Sequence, residues 1–247
     1  METYLSQAII MRIREFGETD LLVTFFTPEK GQLKGVAKGA RKSRKRFVNC
    51  LDVFSLVNLE YGLKRQGALY FLQSGKLLDG YAGLRADFSS VAIASYMIEL
   101  TEVLFPQSVA DGEAFDLLKA FFGVLARGES GEKSQILFET RAMALGGYGI
   151  NVARCTMCRR AYTGQGMAVF KREKGGIACL GCARASTRAP LMGPESVKAL
   201  SLIQTSPFSE LLNIVLEDTM VNEIRPVLKL HREYRLERRL KTAKYIE

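Results

Sequence analysis

Four cysteines in the spacing C-x2-C-x20-C-x2-C (Cys155, Cys158, Cys179 and Cys182) constrain this chain more than any other feature. Two residues between thiols let both sulfurs of one tight turn face the same ion, and two such knuckles complete a tetrahedron of thiolates, the preferred shell of Zn2+. Four sulfurs leave no position for water, so the spacing predicts one structural zinc ion rather than a catalytic one. Gly164, Gly166, Gly175, Gly176 and Gly181 suit the turns of a small ribbon with little core, to which the ion supplies part of the folding free energy. The alternatives are reduced cysteine pairs or a redox pair, and thioredoxin-like chemistry would need a βαβ context that is absent. The fifth cysteine, Cys50, stands apart and reads as a small buried hydrophobe. The start, Met1-Glu2-Thr3-Tyr4, lacks the basic and apolar regions of a secretion signal, which favours metal over disulfides and suggests a cytoplasmic chain.

Charge is segregated. The 247 residues carry 35 Lys and Arg against 26 Asp and Glu, a net +9. Residues 1–80 hold 13 basic and 8 acidic groups, residues 81–153 hold 5 and 9, and residues 154–247 hold 17 and 9. A purely solubilising charge need not alternate basic, acidic, basic, so the order suggests regions with different partners. The densest block contains Lys30, Lys34, Lys38, Arg41, Lys42, Arg44, Lys45 and Arg46 with no acid between Lys30 and Arg46. Its mutual repulsion is costly unless something negative binds; a solvated loop is the plainer alternative. Around the cysteines lie Arg154, Arg159, Arg160, Lys171, Arg172, Lys174, Arg184 and Arg188, equally compatible with phosphate contact and with a solvated knob.

The first eighty residues read as five short strands. Ile9, Met11 and Ile13 alternate with Ile10, Arg12 and Arg14, followed by runs at Leu21–Phe26, Leu33–Gly39, Val53–Glu60 and Ala68–Leu77 joined through turn residues that include Gly62 and Gly67. Five strands in this length suit a small closed barrel, with the OB-fold as its five-stranded form; an SH3-like barrel gives nearly the same pattern. Helical periodicity follows. One helix carries Val91, Ile93, Met97, Leu100 and Leu104, a second carries Phe115, Leu118, Phe122 and Leu125 with Asp111 as N-cap, and a third runs from about Lys133 to Leu145 and ends at Gly146-Gly147. Pro194 and Ser206-Pro207 open further helices, and Pro226 is expected to break or restart the last one before the basic run Arg232–Lys244. The predicted class is α+β multidomain: residues 1–80 a five-stranded barrel, read as an OB-fold, 81–150 the first part of a helical domain, 151–190 an inserted zinc finger, and 191–247 the C-terminal part of the helical domain.

No catalytic constellation is visible. The single histidine, His231, reads as a surface helix residue, and Gly62 and Gly67 have P-loop spacing but are followed by Ala68-Leu69 where Lys-Ser/Thr must stand. Carboxylates are scattered, with no cluster for two-metal phosphodiester chemistry. A non-enzymatic binding protein is therefore expected. A barrel with a Lys- and Arg-rich loop holds nucleic acid largely through its phosphates, with aromatic stacking added; Phe47 is the aromatic directly inside the basic stretch, while Phe25, Phe26, Tyr61, Tyr70 and Phe71 read mostly as barrel filling. The competing classes are a zinc-ribbon adaptor whose basic loops meet an acidic protein, and a nuclease with dispersed acids.

The segments Gly17-Glu18-x-Asp20, Leu22-Val23-Thr24, Thr27-x-x-x-Gly31 and Gly35-Val36-Ala37-Lys38-Gly39-Ala40-Arg41 closely resemble the opening of the bacterial recombination mediator family RecO. The likeness continues through Gly147-Tyr148-Gly149 before the finger and reaches the Arg238–Tyr245 region, covering almost the whole chain. The resemblance implies an N-terminal OB-fold, a helical domain with a zinc finger beside it, binding to single- and double-stranded DNA, strand annealing, and a complex with RecR that helps RecA replace single-strand binding protein (SSB) at the nucleoid. SSB and RecF are further partners it brings into view. Some relatives contact the acidic SSB tail through the helical domain, whereas residues 81–153 here are net −4. Some also lack the finger cysteines, in keeping with a structural ion. By motif match, Lys34, Lys38 and Arg41 are the first candidates for phosphate contact, followed by Lys42, Arg44, Lys45 and Arg46.

Overall fold

The computed structural model describes residues 2–63, 69–129, 131–183 and 189–246. Gly67, the first residue of the expected fifth strand (Ala68), Arg184 and Arg188 lie outside the described residues. The chain divides into two compact units, Met1–Glu129 and Ser130–Tyr245.

The first unit contains a closed barrel of β1 (Glu2–Phe16), β2 (Asp20–Thr27), β3 (Gly31–Ala37), β4 (Leu56–Leu63) and β5 (Tyr70–Asp79), in the order β1-β2-β3-β5-β4. Closure depends on the length of β1: its first half pairs with β4, Glu2 to Ile9 opposite Leu63 to Leu56, and its second half with β2, ending at Phe16 opposite Asp20. A register irregularity between Ile10 and Arg12 bends the strand between its two neighbours. β3 and β5 run parallel, with Gly35 registered to Tyr70, and the other pairings are antiparallel. This connectivity is the OB-fold.

Inward-facing Ile10, Val23, Phe25, Leu33, Leu59, Tyr61 and Leu72 fill the barrel. Phe25 and Tyr61 meet edge to face at 5.2 Å, and Tyr61 meets Tyr70 at 5.4 Å. Cys50 is also buried, its sulfur set against Gly75 so closely that a Cβ there would lie 2.8 Å away. β2 is apolar on both faces because its outer face is covered: Phe26 packs on Phe105 and Phe115 at 6.5 and 6.2 Å. Those partners flank and belong to α1 (Phe88–Leu104) and α2 (Gly112–Ala126), capped by Asp87 and by Asp111, whose carboxylate accepts from the Ala114 amide at 2.9 Å.

The second unit packs α3 (Gly131–Leu145), α4 (Pro194–Thr205), the short α5 (Phe208–Leu211) and α6 (Asp218–Leu236) with a small sheet of β6 (Ala168–Lys171), β7 (Gly176–Cys179) and β8 (Leu191–Met192) in the order β7-β6-β8. Three expectations are corrected here. Pro226 does not interrupt α6, which runs through it to Leu236. The lost amide and ring clash cost about 3 kcal/mol, which burial of Val221, Ile224, Val227 and Leu228 on one face outweighs. His231 is not a surface residue: it is 1% exposed, its Nε2 lies 2.6 Å from the Tyr148 carbonyl, and its ring stands edge to face with Phe170 at 5.9 Å. Beside it Arg232 donates to buried Glu139 of α3 at 3.0 Å, so this residue belongs to a buried pair and not to a basic helix end.

Candidate nucleic-acid interface and metal centre

The basic block begins on the barrel wall and leaves it along a turn. Lys34 points outward from β3, opposite inward-facing Leu33. Beyond β3, Gly39 takes the left-handed conformation (φ 63°), and a 3-10 turn at Ala40–Lys42 carries Arg41 and Lys42. The β1–β2 turn anchors this segment. Asp20 accepts from the Gly39 amide at 2.8 Å, and Arg41 donates to the Glu18 carbonyl at 3.2 Å while pairing with Glu15 at 3.2 Å. Arg46 closes the loop by donating to the Lys38 carbonyl at 2.6 Å.

Lys34, Lys38, Arg41, Lys42, Arg44, Lys45 and Arg46 are all exposed. The structure thus holds Lys38, Arg41 and Arg46 in one tethered loop, whereas Lys34, Lys42, Arg44 and Lys45 form no ion pair among the described residues. Phe47 differs from its expected role as a stacking platform. It is 5% exposed and part of the barrel core, with the Arg46 guanidinium 5.2 Å from its ring centroid. The Lys38 ammonium lies 5.8 Å from the Phe71 ring, which is half-buried on β5. Sequence reasoning passed over Arg12 and Arg14 as the polar side of β1; they share the outer wall with Lys34, and the period-two pattern was the signal for them.

In the second unit the four cysteine sulfurs lie within 4.8 Å of one another. Four sulfurs around one ion at about 2.3 Å stand about 3.8 Å apart, and the Cys158 and Cys179 sulfurs are 4.0 Å apart. The donor set therefore fits a tetrahedral ion. Each knuckle also turns amides inward: Met157 N and Cys179 N both donate to the Cys155 sulfur at 3.4 Å. Burial pushes this thiol up, and amide donation from Cys158, Cys179 and Met157 outweighs it, drawing Cys155 down to about 6. Such a sulfur is ready to serve as a thiolate. Cys155 sits under Val169, Ala178 and Ala183, and Thr156 N donates to the Ile177 carbonyl at 2.8 Å, stitching the first knuckle to β7. Arg154, Arg159, Arg160 and Lys174 are exposed around it, and Arg172 pairs with Glu173 at 2.9 Å.

Two family models match, "Recombination protein O N terminal" over residues 1–81 and "Recombination protein O C terminal" over residues 85–244. The chain belongs to the recombination protein O family. Proteins named DNA repair protein RecO are similar along its length: that of Syntrophotalea carbinolica is 36% identical over 74% of this chain and 70% of its own, and that of Syntrophus aciditrophicus is 29% identical over 99% and 95%. The RecO protein of Anaeromyxobacter dehalogenans is 30% identical over 97% and 94%. The junction between the two RecO matches falls between β5 and α1, so the N-terminal match contains the barrel with its basic loop and the C-terminal match contains the cysteine quartet. No helix among the described residues is long and apolar enough to cross a membrane.

Proposed function

We propose that this RecO-family chain is a non-enzymatic recombination mediator that captures single- and double-stranded DNA through the barrel of residues 1–80. Lys34, Lys38 and Arg41 make the first phosphate contacts, with Lys42, Arg44, Lys45 and Arg46 extending the track. The observation that carries this reading is an acid-free run of exposed cations held on an OB barrel, in a chain whose relatives are named DNA repair proteins. Cations so placed gain affinity by releasing counterions from the phosphates, a contribution indifferent to sequence and available on single strands and duplexes alike. A protein that holds both forms by their backbones lowers the repulsion between complementary strands and promotes their annealing. Complex formation with RecR, and through it the loading of RecA onto SSB-coated strands, completes the proposed role; SSB and RecF are its further candidate partners.

Cys155, Cys158, Cys179 and Cys182 are the proposed ligands of one structural Zn2+, which when bound fixes the two knuckles and leaves no open position for chemistry. The function is tested by annealing two complementary oligonucleotides labelled as a fluorescence donor and acceptor, without magnesium or nucleotide. The expected result is annealing accelerated at least about tenfold at stoichiometric protein, with both strands intact on a denaturing gel, and purified RecR retained on the immobilised chain. Annealing at the spontaneous rate, or strand cleavage once magnesium is added, would overturn the proposal.

A further inference from the structure

A cleft of about 440 Å3 lies within the second unit, between the turn that joins β6 to β7 and one side of α6. Phe170, Pro190 and Leu230 give it apolar walls, and Lys171 and Arg172 give it cationic ones. Pro190 is fixed on the edge of β6, where its carbonyl accepts from the Phe170 amide at 2.9 Å. One turn beyond Leu230, on the same side of α6, comes Tyr234. Its ring is 43% exposed and stands beside two arginines: the Arg172 and Arg235 guanidiniums are 5.9 and 5.8 Å from its centroid. Flat stacking would bring them to about 3.5–4 Å, so both guanidiniums flank the ring and leave its surface open.

The charges here are placed by the fold. Gly175, with φ 60°, lets the Arg235 guanidinium come where any Cβ would overlap it, so the turn and the helix together hold that cation beside the ring. Arg172 pairs with Glu173 at 2.9 Å and adds little net charge. Lys171, Lys174 and Arg235 form no ion pair among the described residues. Unpaired cations gathered this closely repel one another, and an aromatic face turned to water forgoes its burial. Both features suit a ligand that carries negative groups and flat rings together.

We propose that this cleft and Tyr234 form a second site for single-stranded nucleic acid, remote in sequence from the barrel. One unpaired base stacks on the tyrosine ring, and the adjoining phosphates lie on Lys171, Lys174 and Arg235. Every base has a face to stack, and in a duplex those faces are covered by neighbouring pairs, so the site takes single strands whatever their sequence. An acidic peptide would satisfy the cations and leave the open ring unused. The inference rests on the DNA-binding reading above and extends it. The barrel and this cleft give one chain two places for a strand, which suits a protein that brings two strands together.

The test uses the full chain carrying Lys34→Ala, Lys38→Ala and Arg41→Ala, which weakens the barrel track. In fluorescence anisotropy at low ionic strength this triple variant should still bind a single-stranded oligonucleotide. Adding Tyr234→Ala should weaken that binding about tenfold, the scale of one stacked base, whereas adding Tyr234→Phe, which keeps the ring, should leave it unchanged. A strand of equal length made wholly of abasic spacers should bind equally with and without Tyr234→Ala, a result that general damage to the fold would not give. No strand binding by the triple variant, no effect of Tyr234→Ala, or an equal loss in Tyr234→Phe overturns the second site, while the DNA-binding reading stands on the unaltered protein. Equal losses for base-bearing and abasic strands in Tyr234→Ala make the ring structural and also overturn the site. Absence of strand binding by the unaltered protein overturns both readings. Labelled poly-glutamate that binds the unaltered protein and is lost in Tyr234→Ala, with strand binding kept, overturns the strand site in favour of an acidic protein.

Discussion

The barrel and the finger are held together by different means. The barrel has a core of Ile10, Phe25, Leu33, Leu59, Tyr61 and Leu72, filled without help from any charged group. The described core of the finger is Cys155, Val169, Ala178 and Ala183, and one of these is itself a cysteine of the quartet. Burying large side chains leaves the barrel's outer surface free to carry exposed cations at little cost to the fold. The finger lacks that reserve, so on the proposed four-thiolate reading its exposed arginines surround an element whose stability comes from the ion. On the proposed function, the first region keeps binding and stability on separate residues, and the second cannot.

Removing the ion should give the largest effect on this contrast. Cys155→Ser, or chelation of the unaltered protein, should abolish stoichiometric zinc by elemental analysis and remove amide exchange protection over residues 151–183, while protection of β1 to β5 persists; structural zinc sites contribute of order 10 kcal/mol to such modules. Retained metal would break the four-thiolate account. Phe25→Ala attacks the other region. It should cost about 3–5 kcal/mol, read as a lower denaturant midpoint for the barrel with zinc content unchanged.

Lys34→Ala, Lys38→Ala and Arg41→Ala combined should sharpen the separation of binding from stability. The slope of log affinity against log salt on single strands should become shallower by about 2, at roughly 0.7 per phosphate lost, with thermal stability nearly constant. A large loss of stability would show that Arg41, which ties the loop to Glu15 and Glu18, is structural. The smallest effect concerns His231 of the second unit. Burial lowers its pKa from the usual 6.5, so the folded state holds it neutral while the unfolded chain takes up a proton. The stabilisation is complete above about pH 6.5 and declines as the pH falls through the lowered folded value. His231→Gln, which keeps a donor for the Tyr148 carbonyl, should flatten the difference in thermal midpoint between pH 7.5 and 5.5; an unchanged pH profile would refute the buried neutral imidazole.

Much of this contrast was legible in the residues. Cysteine spacing alone brought four sulfurs together, and the alternation from Met11 to Arg14 marked the second half of β1, whereas the irregularity between Ile10 and Arg12 turns Ile10 inward with Ile13 and off the face of Arg12 and Arg14. Its first half was hidden because Leu5 is exposed and Ser6 buried, the reverse of their hydrophobicity. The fourth strand begins at Leu56 rather than Val53, since Phe54 occupies a left-handed conformation (φ 76°) that ends the preceding turn. His231 had a signal that its charged neighbours masked: it continues the Ile224, Val227, Leu228 stripe at helical spacing, and that stripe also explains why Pro226 fails to end α6. The burial of Thr24 and Gln32 on β2 and β3 could not be read at all. It exists only because a distant segment arrives at Gly31 and walls off one side of the sheet.

The central claim is electrostatic capture of DNA by the barrel. Anisotropy of the full-length protein on random-sequence single strands and duplexes, across a salt series, tests it most directly. Both forms should bind, with affinity falling by slopes of roughly −0.7 and −0.9 per neutralised phosphate. A protein that bound neither form at low ionic strength, whatever the length of the DNA, would contradict the account.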